Sequence, residues 1–135
     1  MRNKDRVVEF DPIIYPTRLW VALAPSFKTL EKEFDFLDDN DEVTDAREEY
    51  ENHKYAIATT FAVVQKKTLW KGCLVVVWKK SDFSVGTCAH EATHVYDWLD
   101  NELGLNCQHY DNDEPKAYYV DWVADSIDKV LKGKV

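Results

Sequence analysis

The sequence predicts an α+β domain with two long helices packed on a largely antiparallel sheet. Three observations lead there. Segments rich in β-branched and aromatic residues come first and the longest helical patterns come last. Two strand-like runs, Tyr55 to Gln65 and Leu69 to Trp78, are separated only by a lysine-containing turn, the pattern of an antiparallel hairpin. The 135 residues are 45% hydrophobic, enough for one core in a single domain spanning 1–135.

Taken in order, Arg6 to Tyr15 reads as a strand that weakens after Pro12, and Arg18 to Ala24 as a short second strand. Ser26 is a candidate N-cap, with Phe27, Leu30, Phe34 and Leu37 at helical spacing behind it, so a helix is expected to end near Leu37. Asp38 to Glu51 holds eight acidic residues and one arginine, which favours a solvated loop, with Thr44 to Tyr50 as a helical candidate. That segment lacks the glycine and ligand spacing of a calcium-binding EF-hand. After the hairpin, Ser84 to Leu103 reads as a helix stopped by Gly104. Asn112 or Asp113 can cap a last helix with Pro115 in its first turn, running to about Leu131. The expected order is strand, strand, helix, strand, strand, helix, helix.

Charge and composition narrow the function. Seventeen basic against 25 acidic residues give a formal net charge of −8, which argues against nucleic acid or an anionic membrane as main partner. No apolar run is longer than Cys73 to Trp78, which is far short of a membrane span. Charges continue through Met1 to Arg6, where a signal peptide needs its apolar stretch, so a cytoplasmic location is expected. Cys73, Cys88 and Cys107 are odd in number and irregularly spaced; free thiols in a reducing compartment are the plain reading.

One motif carries chemistry. Residues 90 to 94 read His90-Glu91-Ala92-Thr93-His94, an H-E-x-x-H pattern on a predicted helix. Four residues turn a helix through roughly 400°, so both imidazoles lie on one face and can reach one zinc ion (Zn2+). Glu91 lies off that face, near enough to serve as general base toward a zinc-bound water. On the helical wheel Val85, Cys88, Ala92, Tyr96, Leu99 and Leu103 form the core stripe. His90, His94, Asp97 and Asn101 fall roughly opposite and look into a cleft.

Catalytic zinc normally has three protein ligands. His109, Asp111, Asp113 and Glu114 are the nearby choices. Glu114 is favoured because the last helix carries an apolar stripe at Ala117, Val120, Ala124, Ile127 and Leu131, and three residues before Ala117 stands Glu114. An inward carboxylate needs a partner, which a metal would be. His109 is the main rival ligand. Asp97 could orient an imidazole, and Asp121 shares that ambiguity. Tyr110, Tyr118 and Tyr119 are candidates to stabilise an oxyanion, with packing the simpler role for any one of them. The five tryptophans are read as packing, and His53 is given no role.

The stretch Thr87-Cys88-Ala89-His90-Glu91-Ala92-Thr93-His94, followed by Asp113-Glu114-Pro115-Lys116-Ala117-Tyr118, resembles small zincin-like metallopeptidases of the gluzincin type. It is most similar to short phage- and prophage-encoded proteins, and more broadly to the ImmA/IrrE-like peptidases, in which a Glu-x-x-Ala pattern on the next helix supplies the third ligand. The resemblance covers about residues 84–131. It implies a minimal zincin-like fold, zinc held by His90, His94 and Glu114, Glu91 as catalytic base, and a location in the host cytoplasm if phage-encoded. The resemblance does not place the tyrosine, histidine or arginine that larger gluzincins set against the oxyanion.

The expected activity is hydrolysis of a peptide or protein substrate, lying along a sheet edge for which Leu69 to Trp78 is the candidate. The alternatives are a non-catalytic zinc-binding module for protein interaction or regulation, and hydrolysis of a non-peptide amide.

Overall fold

A computed structural model of the chain describes residues 5–107 and 110–135. The elements are β1 (Val7–Phe10), β2 (Arg18–Leu23), α1 (Phe27–Glu33), β3 (Phe34–Phe36), α2 (Ala46–His53), β4 (Ala58–Gln65), β5 (Lys71–Val77), α3 (Val85–Leu103) and α4 (Glu114–Leu131). The fold is α+β, with five strands in the order β1-β2-β5-β4-β3. Three of the four pairings are antiparallel, including the β4–β5 hairpin; β2 and β5 run parallel.

β5 is the central strand, flanked by β2 and β4. Helices cover both faces of the sheet, which is why Cys73 to Val77 is continuously apolar instead of alternating. On one face Leu19, Val21, Cys73, Val75 and Val77 pack against Ala92, Val95, Tyr96 and Leu99 of α3 and Val123 and Ile127 of α4. On the other, Trp20, Leu74, Val76, Phe61 and Val63 pack with Leu30 of α1 and Phe34 and Phe36 of β3, and Tyr50 of α2 adds to this layer. Arg18 pairs with Gly72 across the parallel ladder, and a Cβ on Gly72 would stand 1.8 Å from the Arg18 carbonyl oxygen. That close approach is what requires glycine at the start of β5.

Several expectations change. The helix from Ser26 stops at Glu33 instead of near Leu37. Phe34 and Phe36 obey the period of two and bury together as β3, with Asp35 between them, while Leu37 lies beyond the strand and bridges to Val43. The central position of β5 overturns Leu69 to Trp78 as a docking edge, because both of its sides are already paired. Val85 is 89% exposed, since it precedes the point where α3 meets the sheet. The inward stripe of α4 is Tyr119, Val123, Ser126, Ile127 and Val130, with Ala117 exposed. Larger side chains bury more apolar area than Ala117 could, and they set the rotation of the helix.

Candidate metal centre and its cavity

α3 begins where the Ser84 hydroxyl accepts from the Thr87 amide, and it ends at Gly104, whose φ of 63° is the left-handed stop. Between these ends the helix is regular, so the spacing of four residues turns into contact. His90 Nε2 and His94 Nε2 lie 3.0 Å apart, with the two rings edge to face. Both imidazoles are solvent-accessible, while Glu91 is only 4% exposed. One Glu91 oxygen accepts the hydroxyl of Thr60 on β4 at 2.8 Å. The wheel argument therefore holds for the histidines, and Glu91 points from α3 toward the sheet.

These three residues line an open cavity of about 920 Å3. Its floor is β4 from Ala58 to Ala62. Its α3 wall continues through Trp98, Asn101 and Glu102, and the facing wall carries Asp38, Asp39 and Asp41 with Glu49 and His53 of α2. Lys71 ties the walls together. Its ammonium lies 2.9 Å from Asp41 and 2.9 Å from Glu102. Desolvation works against the charged lysine, but the bonds to Glu102 and Asp41 outweigh it and hold its pKa above the ordinary value. His53 bonds the Glu49 carbonyl through Nδ1 at 2.8 Å and its ring stands edge-on to Phe61. Cys73 also lines the cavity, and burial pushes its thiol pKa up, so it offers no thiolate nucleophile.

β4 is only partly covered. β3 pairs with Val63 to Gln65, and the Leu37 amide adds a bond to the Ala62 carbonyl. Since Ile57 and Gln65 bond toward β5, the even-numbered residues of β4 present their backbone groups to the other side. At Ala58 and Thr60 those groups find no hydrogen-bond partner among the described residues, leaving a short free strand edge beside Glu91.

The two imidazoles suit zinc. At a Zn–N distance of about 2.05 Å, nitrogens 3.0 Å apart subtend about 94°, a modest compression of the tetrahedral angle. The third donor is a different matter. Glu114 is exposed at the first residue of α4 and is not among the residues of the cavity wall. α4 packs over β2 and along the flank of α3, where the Cys88 thiol meets the Ala124 carbonyl at 3.7 Å, while the cavity opens over β4. The inward stripe invoked for Glu114 thus belongs to other residues. Among the described residues no group of three or more histidine, cysteine, aspartate or glutamate side chains is close enough to hold a metal ion.

The other candidates fall out as follows. Asp97 is exposed and bonds neither imidazole. Asp111 is exposed, and Asp113 precedes α4 without a side-chain cap bond. Asp121 is exposed. Tyr119 is buried against Tyr15, Tyr96 and Trp122, which makes it a packing residue, and Tyr118 is 71% exposed. His109 and the side chain of Tyr110 lie outside the described residues. All three cysteines are free.

Comparison of the chain with protein-family models, with curated proteins and with solved structures finds no match. Reading the sequence alone missed three contributors to the cavity. Thr60 had no local signal. His53 had one, its spacing of four residues from Glu49 on a helix. The acidic segment was read as a solvated loop, and it forms a wall.

Proposed function

We propose that the protein is a zinc-dependent metallopeptidase. The observation that carries this reading is a buried carboxylate, Glu91, beside two converging imidazoles in a cavity wide enough for a chain segment. His90 and His94 would hold the zinc. Glu114 remains the proposed third ligand on the sequence pattern, and its exposed position at the head of α4 makes it the residue to test first. Bound there, zinc would supply Lewis acidity toward a carbonyl and make water a stronger acid.

The chain's own residues account for the rest. Glu91 has one oxygen held by Thr60, leaving the other to take a proton from attacking water. As the new C–O bond forms and the C–N bond breaks, Glu91 passes that proton to the departing amine. A substrate strand adds to β4, not β5, through the free backbone groups of Ala58 and Thr60. The carboxylates of the facing wall favour substrates with basic side chains near the scissile bond.

Glu91→Gln tests the reading. Zinc-loaded parent protein should cleave members of a peptide library, chelator should abolish cleavage, and the variant should keep its zinc but lose activity. A parent that binds zinc and cleaves no peptide would instead point to the binding-module alternative or to a non-peptide amide.

A further inference from the structure

Thr60 presents its two ends to two different parts of the chemistry, and we propose that it is the positioning residue through which substrate docking sets the geometry of Glu91. This rests on the hydrolase reading above and extends it to a residue outside the H-E-x-x-H motif.

The side chain faces α3. Its hydroxyl makes the only hydrogen bond that the described residues give to the Glu91 carboxylate, at 2.8 Å. Its neighbour Thr59 faces the opposite layer, where its hydroxyl accepts from the Trp78 indole at 3.0 Å. The alternation of the strand thus fixes which of the two threonines can serve Glu91. Threonine is β-branched and stiff at χ1, so the direction of its hydroxyl follows the backbone beneath it. That backbone is the free edge itself, where the N–H and C=O of Thr60 have no partner among the described residues. A substrate strand pairing there would clamp the same residue that holds the carboxylate. A buried carboxylate also needs a hydrogen-bond donor, and Thr60 supplies it.

The expected phenotype is specific. Thr60→Val keeps the shape, the β-branch and the backbone pairing but removes the donor. It should bind zinc as the parent does and keep KM within about twofold, while kcat falls about 10- to 100-fold, the loss expected of a group misplaced by about 1 Å. Thr60→Ser restores the donor and should recover kcat to within about threefold. Crystal structures of the parent and both variants supply a readout independent of turnover. The Glu91 carboxylate should leave its place in the valine variant and keep it in the serine variant.

Unchanged kcat in Thr60→Val, a loss confined to KM, or a Glu91 carboxylate that stays in place would each overturn the proposal. If Glu91→Gln has no effect on cleavage, or the parent cleaves nothing, the hydrolase reading fails, and the crystal structures still decide whether Thr60 holds Glu91.

Discussion

Adding zinc to metal-free protein should raise its melting temperature, and His90→Ala or His94→Ala should remove the rise. The imidazole nitrogens already stand 3.0 Å apart on one regular helix, so these two donors need little rearrangement to bind. A ligand that binds only the folded state at one hundred times its dissociation constant stabilises by about 2.7 kcal/mol. Unfolding entropy of about 2.1 cal/mol/K per residue over 135 residues gives about 0.28 kcal/mol/K, so the shift should be about 9–10 °C. Thermal melts across a zinc titration, with magnesium as a hard-cation control, measure it directly. The acidic wall could gather cations without any imidazole, and the histidine variants separate that case. An unmoved parent, or equal shifts in parent and His90→Ala, would refute the reasoning. Glu114→Ala should weaken the midpoint by a factor of ten or more if it is a ligand, at about 1.4 kcal/mol per tenfold. An unchanged midpoint would assign the third donor elsewhere.

Three further outcomes follow from the fold and the cavity. Gly72→Ala forces a methyl to within 1.8 Å of the Arg18 carbonyl, so β2 and β5 must part; a loss of about 2–4 kcal/mol is expected in urea melts, and a change under about 0.5 kcal/mol would contradict the close approach. Lys71, whose pKa is raised above 10.5, contributes stability that is fully present below that value and lost as pH rises through its folded pKa, so the parent should lose more stability than Lys71→Met in melts from pH 9 to 12, by less than about 1 kcal/mol for so exposed a network. Basic peptides should be cleaved faster than acidic ones of the same length, and the advantage should shrink as salt rises from 0.05 to about 0.5 M, where screening is nearly complete; a salt-independent preference would count against the acidic wall.

The sequence specified much of this architecture because its long patterns are strongly periodic. α3 with its Ser84 and Gly104 ends and the approach of His90 to His94 follow from spacing within one element, and the hairpin from two runs joined by one short turn. The failures are tertiary. Phe34 satisfies a helical stripe and a strand alternation equally, and only the neighbouring β4 decides between them. Ala117 and Glu114 sit on a stripe that larger residues displaced by rotating α4. The central place of β5 depends on a parallel partner 54 residues earlier, which no local pattern announces. Thr60 reaches Glu91 across 31 residues of sequence, and a lone threonine in a strand of such residues gives no sign of its contact.

The middle position of β5 has a consequence for endurance. Local opening starts at thinly held margins such as the three-residue β3 and the start of β1, and the spine of the sheet opens last. β5 leads into α3 through residues 78–84, so the histidines follow the segment expected to exchange its amides most slowly. The opposite wall hangs from the short margin at β3. The cavity thus pairs a firm jaw with a less firmly held one, and the ion pairs of Lys71 to Asp41 and Glu102 are what join the two.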